Sequence, residues 1–498
     1  MNSSLSPNSM QSADEQPRDA RKIIVRNSIA VSIATWAAKI VNFAYTIFVV
    51  RFLGEAGLGQ YSTVIAFVGI FGILFEFGTT QLAERNIARD NSRTPQTFWN
   101  LVALRLILAV LGMVLITTLA LVVGYELILV QGVMIFTMTY ILAAFQYPLG
   151  SVLKGHEKLH IVSLLQIANQ IISSVFGIIF LLSNAVYLSL IYAGFVAMPL
   201  QIALSLWFIH RERIRLWPIM LAPRHWFTIV RESLPFGLSS VALTLSFNAD
   251  TVIIGFFHPV EMVGWYNAAY RLVATVVSLA SGFLIALTPS FSREYVSDPK
   301  RVHRWAQLGI GGMAFFSVPA AVGLSLLATP VVTLLYGSSF GPSALVLALI
   351  AWDIPLRLFN AFGGNVTSAA GLERRAAQIY GLTSALNIVL NLIFIPSYGI
   401  IAAAATTIAT DALSSLLFFW LLNKHMQVAH VLPTLLRVVV AAAGMGVVVW
   451  LFHALPVLLV VLLGGVAYLL LALMLRLVTV PMLVSSAQMF LARQVRAS

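Results

Sequence analysis

Residues 51–62 of this 498-residue chain read RFLGEAGLGQYS and lie between two long apolar runs. Residues 256–267 read FFHPVEMVGWYN and have the same setting. A shift of 205 residues superposes Gly59 on Gly264 and Tyr61 on Tyr266. The pair of segments indicates that the chain contains one structural unit twice, and the rest of the sequence tests this interpretation.

The composition is that of an integral membrane protein. Hydrophobic residues make up 59% of the chain and charged residues 10%, whereas soluble globular chains carry about 25% charged residues. So much apolar surface cannot be buried in one water-soluble core. The absence of cysteine excludes disulfides, thiolate metal sites and cysteine nucleophiles. The net charge of +12 would suggest nucleic acid in a soluble protein, but in a membrane protein it reflects the location of loops, and no nucleic-acid partner is expected.

The apolar runs predict an all-α polytopic membrane protein. Fourteen runs are long enough to cross a bilayer, with approximate limits 28–52, 60–83, 98–123, 127–149, 160–183, 186–209, 231–257, 263–290, 305–335, 342–365, 375–396, 400–423, 433–453 and 456–480. With a cytoplasmic N-terminus, 22 of the 30 Lys and Arg residues fall in inside loops. We therefore predict fourteen spans in the cell membrane and both termini in the cytoplasm. Without a turn at Ala454–Pro456 the count becomes thirteen, which Arg493 and Arg496 argue against.

Two further pairs of segments support an internal repeat. AERNIARD (83–90) matches FSREYVSD (291–298), and KGHEK (154–158) matches AGLER (370–374), at shifts of 208 and 216 residues. Spans 1–6 and 7–12 are thus predicted to be two parallel six-helix lobes, with spans 13 and 14 added, unless Gly and Arg match by chance near the membrane surfaces. Parallel repeats are typical of transporters with a site between the repeats. The predicted divisions are a disordered cytoplasmic segment (1–22), an N-lobe (23–225), a C-lobe (226–425), spans 13 and 14 (426–480) and a cytoplasmic tail (481–498).

Ionisable residues inside predicted spans are candidate site residues, because a charge at a helix centre costs roughly 2.5–3.5 kcal/mol on insertion scales. Lys39, at the middle of span 1, either faces a hydrated cavity or pairs with an acid such as Glu76. Arg271, near the outer end of span 8, either lines the cavity or extends to the outer surface. Arg105 either extends to the cytoplasmic surface or serves the site, and Glu76 and Arg105 are weaker cavity candidates.

Span 10 contains WDIPLRLFN (352–360), in which Asp353 and Arg357 are four residues apart. On a straight helix the two would pair. Pro355 between them predicts a kink that frees the carbonyl of Ala351, and because kinked spans recur at transporter sites, Arg357 is a candidate to face the substrate. Asp250, Asp353 and Asp411 are candidates for coupling to Na⁺ or H⁺, with hydrogen bonding between helices as the alternative for Asp250 and Asp411.

The sequence lacks the motifs of several enzyme classes. The sequence contains no nucleotide-binding loop, no zinc-protease motif and no triad spacing, so neither an enzyme nor direct use of ATP is predicted. Any active transport would draw on an ion gradient or the membrane potential, and no cofactor or metal is expected apart from a coupling ion. Polar stripes are interpreted as contacts between helices; they comprise Gln166, Asn169 and Gln170 in span 5, and Asn387 and Asn391 in span 11.

Four segments together resemble the polysaccharide flippase (Wzx-like) branch of the multidrug/oligosaccharidyl-lipid/polysaccharide (MOP) exporter superfamily. They are RFLGEAGLGQYS, FEFGTTQLAERNIARD (75–90), KGHEK and NIVLNLIFIPSYGIIAAAATT (387–407), and the resemblance covers about residues 23–480. It implies a MATE/MOP-like fold with two lobes around a cavity that opens alternately inward and outward. It also implies movement of a polyprenyl-pyrophosphate-linked oligosaccharide to the outer leaflet, by a monomer that works beside polysaccharide polymerase and export machinery. Lys39, Arg271 and Arg357 would engage the pyrophosphate.

Other functions stay open at this point. Lipid II flippases of the superfamily also have fourteen spans and cationic cavities, whereas its drug exporters generally have twelve spans and acidic sites. A scaffold or a membrane-embedded enzyme is a further alternative, which the short outer connections and the buried charges disfavour. The eight intramembrane charges sum to zero, so the sequence does not establish a cationic cavity.

Overall fold

The computed structural model describes residues 8–76, 78–184, 186–297, 299–426 and 428–477. All regular secondary structure in these ranges is helical, which confirms the all-α fold class. The predicted cytoplasmic tail, residues 481–498, lies outside the described residues.

Counted over the described residues, the first half of the chain forms six helices. They are α1 (Asn8–Glu76), α2 (Thr79–Arg89), α3 (Thr94–Val123), α4 (Leu127–Gly155), α5 (Leu159–Ser183) and α6 (Leu188–Arg211). The second half forms nine: α7 (Trp226–Phe257), α8 (Val260–Ser297), α9 (Pro299–Leu326), α10 (Ala328–Tyr336), α11 (Ser343–Ile350), α12 (Asp353–Ala369), α13 (Glu373–Met426), α14 (Leu432–Leu451) and α15 (Val457–Met474). Short 3₁₀ turns lie at Asn91–Arg93, Pro223–His225, Ser338–Phe340 and Val428–Val431.

The helices agree with the predicted apolar runs, each of which falls mainly on helix. Within the described residues, nine helices are long and apolar enough to cross a membrane, or ten if the bent pair Ser343–Ile350 and Asp353–Ser368 forms one span. Two of these nine, Ala38–Gly72 and Glu373–Met426, cover two predicted runs each. The protein is therefore a multi-pass membrane protein, and the number fourteen stays a prediction.

Two glycines bend continuous helices at the predicted outer turns. Gly54 has φ 67° inside α1, between predicted spans 1 and 2, and Gly399 has φ 59° inside α13, between predicted spans 11 and 12. Side chains disfavour this left-handed conformation, whereas glycine adopts it freely. Each helix thus kinks at its glycine without an intervening loop.

The N-terminal segment differs from its prediction. Helix α1 begins at Asn8, so residues 8–22, predicted to be disordered from their polar composition, are helical. Extending an existing helix costs much less than nucleating one, so the helix of the first predicted span continues backward through the segment, even though Pro17 inside it lacks the N–H that a helix interior uses.

The two lobes meet closely at their predicted outer ends. A Cβ added to Gly59 would lie 1.9 Å from the carbonyl oxygen of Val260, and one added to Gly264 would lie 2.0 Å from that of Glu55. In addition, Leu58 of α1 is buried in the hydrophobic core of the second lobe. The two segments that match at a shift of 205 residues, 51–62 and 256–267, therefore pack against each other.

Helices α14 and α15 dock against the second lobe through α9. Their apolar core includes Ala441, Met445 and Tyr468 packed on Leu327. The Tyr468 hydroxyl donates to the Phe315 carbonyl oxygen at 2.8 Å. These last helices are thus an addition to one lobe rather than part of the contact between lobes.

Candidate functional site

A cavity of about 590 Å³ lies between helices α1, α4, α5 and α6 of the first lobe and α8 of the second. Its size falls within the 300–1,000 Å³ of typical ligand sites. Lys39 and Arg271 both line it, from opposite lobes. The structure therefore brings together two of the three cations predicted for substrate binding.

Lys39 connects the two lobes across this cavity. Its Nζ donates to the main-chain carbonyl oxygen of Ser278 on α8 at 2.6 Å. Glu76, the acid considered as its partner, lies instead in a smaller adjoining pocket. The structure thus agrees with the cavity placement rather than with a Lys39–Glu76 ion pair.

Arg271 faces the cavity and not the outer surface. Its guanidinium carbon lies 5.8 Å from the centre of the Tyr61 ring, a cation–π contact. Among the described residues, no hydrogen bond or ion pair to the Arg271 side chain is present. This cation is therefore available to a bound anion.

Four tyrosines form much of the aromatic lining, and the sequence interpretation did not identify them as site residues. They are Tyr45, Tyr61, Tyr140 and Tyr147. A tyrosine in the middle of an apolar run is the signal that could have found them, since its hydroxyl seeks a polar partner. Asn42 and Gln170 also line the cavity, and the Gln170 amide donates to Asn42 Oδ1 at 2.8 Å. Gln170, predicted only as a contact between helices, therefore also faces the cavity.

The side pocket of about 160 Å³ holds both weaker candidates, Glu76 and Arg105. Arg105 is only 3% exposed. Its Nη2 donates to the hydroxyls of Thr79 at 2.8 Å and Thr80 at 2.6 Å, and the Thr80 hydroxyl donates to Glu76 Oε1 at 2.8 Å. The interpretation that Arg105 extends to the cytoplasmic surface is wrong. Helix α2 begins just after Gly78, and its first residues, Thr79 and Thr80, lie against the Arg105 guanidinium.

This side pocket adjoins the main cavity. Tyr140, Ala143 and Tyr147 line both spaces. The Arg105 guanidinium carbon lies 5.5 Å from the centre of the Tyr147 ring. Tyr140 and Tyr147 thus lie between the pocket of Arg105 and Glu76 and the cavity of Lys39 and Arg271.

Arg357 lies elsewhere, between two aspartates. Its Nε pairs with Asp353 and lies 3.4 Å from Asp411 Oδ2, while Nη1 donates to the Tyr270 hydroxyl at 2.5 Å. Arg357 is not among the described residues that line the main cavity. The kink expected at Pro355 does not lie there, and Asp353 and Arg357 pair as they would on a straight helix. The 42° bend precedes Asp353, so Pro355 lies in the first turn of α12, where a missing N–H costs nothing.

Asp250 is the centre of a buried hydrogen-bond network among α7, α8 and α13. One carboxylate oxygen accepts from the hydroxyls of Tyr266 at 2.6 Å and Thr407 at 2.9 Å. The other accepts from the Asn391 amide at 2.6 Å, and this amide also donates to Asn387 Oδ1 at 3.0 Å. The predicted hydrogen bonding between helices is confirmed for Asp250, which has no cation beside its carboxylate in these contacts.

Folding therefore separates charges that sum to zero along the chain. Among the described residues that line the main cavity, Lys39 and Arg271 are the basic residues, and no aspartate or glutamate is present. The acids Asp250, Asp353 and Asp411 lie within the second lobe with Arg357. The cavity is thus cationic even though the intramembrane charge is balanced.

Two family models match the sequence. The model described as "Polysaccharide biosynthesis protein" matches residues 24–294, more than half of the chain, and the model "MatE" matches residues 235–393. Together they cover residues 24–393, which include nearly all of the predicted N-lobe and most of the predicted C-lobe.

Individual proteins are also similar. "Probable low-salt glycan biosynthesis flippase Agl15" of Haloferax volcanii is 23% identical over 81% of this chain and 84% of its own length. "Probable flippase AglR" of the same organism is 28% identical over 40% of this chain, and the match spans less than half of AglR, 43%. The structure titled "Lipid II flippase MurJ, inward closed conformation" superposes with a TM-score of 0.76 over 90% of this chain and 98% of that one, at 16% identity. The last comparison shows a shared fold.

Proposed function

Because the chain belongs to the polysaccharide biosynthesis protein family of the MOP exporter superfamily, we propose that it is a flippase for a polyprenyl-pyrophosphate-linked oligosaccharide. It moves this lipid from the cytoplasmic to the outer leaflet for polysaccharide synthesis. The observation that carries the proposal is the cavity with two cations and no acid among its described lining residues. The flippase names of Agl15 and AglR support the same class of activity.

The pyrophosphate is the part of this cargo whose negative charge needs positive partners inside a membrane. Arg271 has no ionic partner among the described residues, and its planar guanidinium can donate two parallel hydrogen bonds to phosphate oxygens. Lys39 contributes a second positive charge from the opposite lobe. An anion held by both side chains would bind the two lobes at once, so its binding and release can be coupled to lobe movement.

The sugar and the lipid tail need different surroundings. The tyrosine rings offer apolar faces for sugar rings, and Asn42, Thr139 and Gln170 offer hydrogen bonds to hydroxyls. The polyprenyl tail stays in the bilayer while the head group passes through the cavity. No covalent step is required, so the protein acts as a transporter.

We further propose that the Asp250 network couples transport to Na⁺ or H⁺. The Asp250 carboxylate is surrounded by neutral groups of Tyr266, Asn391 and Thr407, so its single negative charge matches that of one proton or one monovalent cation. Its hydrogen-bond partner Tyr266 is on α8, the helix that carries Arg271 five residues further on. A change of charge at Asp250 therefore acts on the helix that holds the proposed pyrophosphate ligand.

Transport of lipid II is the second candidate, which the shared fold with MurJ over 98% of that chain favours. Its cargo is also a lipid-linked pyrophosphate, so the same cavity chemistry applies. Export of cationic drugs fits less well, because a cation needs acidic ligands and the described lining has none.

The test is a lipid extract from cells with and without the gene, analysed by mass spectrometry for polyprenyl-linked glycans. We expect a completed lipid-linked oligosaccharide to accumulate on deletion and to disappear when the wild-type gene is restored. Restoring the Arg271→Gln variant should leave it accumulated, whereas Arg374→Gln, a change at an exposed arginine, should clear it. Accumulation of lipid II instead would favour the second candidate. An unchanged lipid pool with raised drug sensitivity would contradict the proposal.

A further inference from the structure

The connection between α6 and α7, together with the first turn of α7, exposes an apolar surface. The exposed fractions are 65% for Trp217, 51% for Ile219, 48% for Met220, 52% for Leu221 and 77% for Phe227. We call these five residues the linker patch. Soluble surfaces rarely expose this much contiguous apolar area without a binding partner.

The linker patch is held in a defined orientation by Asn100 of α3. The Asn100 amide donates to the carbonyl oxygens of Gln96 at 2.7 Å and Met220 at 2.9 Å. Its Oδ1 accepts from the Ala222 N–H and the Trp226 indole, each at 2.8 Å. Asn100 thereby uses its full hydrogen-bonding capacity to fix an irregular segment.

A second contact fixes the start of the same segment. The Trp99 indole donates to the Leu216 carbonyl oxygen at 2.8 Å, and the Trp99 and Trp217 rings lie 5.3 Å apart. Because these side chains form hydrogen bonds with main-chain groups of the segment, the apolar side chains can leave water without leaving those main-chain groups unpaired. The linker patch therefore has a conformation fixed by hydrogen bonds to α3.

Exposed arginines surround the patch. Arg213, Arg215 and Arg224 are all exposed. Glu212 is the only acid between residues 208 and 231, and it pairs with Lys158 at 2.5 Å. The neighbourhood of the patch is thus strongly cationic.

We propose that the linker patch lies in the interface of the cytoplasmic leaflet and that Arg213, Arg215 and Arg224 bind the headgroups of anionic phospholipids. The irregular backbone excludes a position deeper in the hydrocarbon. Tryptophan beside arginine is typical of the interfacial region, and anionic headgroups attract basic segments there. The segment leaves α6 at the cytoplasmic end predicted by the positive-inside rule, so the lipid surface is its immediate neighbour.

This site would have a mechanical consequence that does not depend on the cargo. Asn100 belongs to the first lobe, whereas Trp226 begins the first helix of the second lobe. The linker patch therefore anchors the joint between the lobes to the membrane surface. Anionic lipid is expected to affect transport through this joint and not through the cavity.

The binding test uses the full-length protein in detergent with phosphatidylglycerol and phosphatidylcholine in equal amounts, with bound lipid counted by native mass spectrometry. The variant R213Q/R215Q/R224Q should lose about 100-fold of its phosphatidylglycerol affinity, since each of the three basic residues near an anionic surface contributes about fivefold. Its phosphatidylcholine binding should not change. The control R89Q/R374Q/R375Q removes the same charge from other exposed arginines and should retain phosphatidylglycerol. Equal losses in both variants, or none in either, would overturn the assignment.

The depth test uses nanodiscs that contain brominated phosphatidylcholine. Tryptophan fluorescence of the wild type and of Trp217→Phe is compared, and the difference reports Trp217 alone. We expect this difference to be quenched more strongly by bromine near the headgroup end of the acyl chain than by bromine near its methyl end. Absence of quenching at Trp217 would place the patch against water or a protein partner and would refute the lipid site, whatever the arginine variants show.

Discussion

Gly59 and Gly264 occupy equivalent positions in the two repeats, and each lies against the main chain of the other repeat. Their contacts are the carbonyls of Val260 and Glu55, which are also equivalent at the shift of 205 residues. The relation is therefore reciprocal, as a pseudo-twofold axis between the lobes requires. Backbone touches backbone at the predicted outer ends, so any outward opening must separate this contact.

We predict that Gly59→Ala and Gly264→Ala each destabilise this closed arrangement. The added methyl would lie about 2 Å from a carbonyl oxygen, and overpacking of this kind costs about 1–3 kcal/mol. The measurement is thermal unfolding of the purified variants in detergent. Gly150→Ala is the matched control, because a Cβ there meets open space. Equal stability of Gly59→Ala and Gly150→Ala would contradict the close contact.

For Arg271, we predict that replacement by Gln abolishes glycan export without loss of folded protein. The guanidinium has no ionic partner in the described residues whose loss would destabilise the fold. Arg271→Lys should retain only a small part of the activity, since an ammonium group cannot make the two parallel bonds of a guanidinium. Export is measured as surface glycan in a deletion strain that carries each variant. Normal glycan from Arg271→Gln and Lys39→Gln together would exclude the cationic cavity as the cargo site.

The Arg357 group allows pairing to be separated from substrate binding. Arg357→Gln leaves the carboxylates of Asp353 and Asp411 without their cation, and breaking a buried pair costs about 3–5 kcal/mol. The double variant Arg357→Gln/Asp353→Asn should recover part of this loss, measured as the free energy of unfolding. If Arg357→Gln instead leaves stability unchanged and removes transport, Arg357 is a cargo ligand.

Asp250 tests the coupling proposal. Asp250→Asn keeps the size of the side chain but removes its charge, so flipping in proteoliposomes should no longer respond to an imposed Na⁺ or H⁺ gradient. Tyr266→Phe removes one hydrogen bond to the same carboxylate. It should keep the gradient response while losing about 1 kcal/mol of stability. An unaltered gradient response in Asp250→Asn would rule out Asp250 as the coupling group.

The sequence predicted the class of fold and much of its internal order. Apolar runs located the helices, and the match of RFLGEAGLGQYS with FFHPVEMVGWYN indicated the repeat, but only the structure shows that Gly59 and Gly264 bring the two segments into contact. It placed Lys39 and Arg271 in one cavity because both are cations at depths they cannot easily leave. It failed at Arg105 and Pro355, where the outcome depended on where a neighbouring helix begins.

The depth of a residue in the membrane is predicted by the sequence alone, because the bilayer selects apolar length along one axis and the positive-inside rule predicts its orientation. The direction in which a side chain points around its helix was decided only by the tertiary structure, because it depends on contacts between segments far apart in the chain. Lys39 meets Ser278, and Arg357 meets Asp411, across such distances. Packing therefore separates eight charges that sum to zero into a cavity lined by Lys39 and Arg271 and a cluster of three aspartates with Arg357 elsewhere in the second lobe.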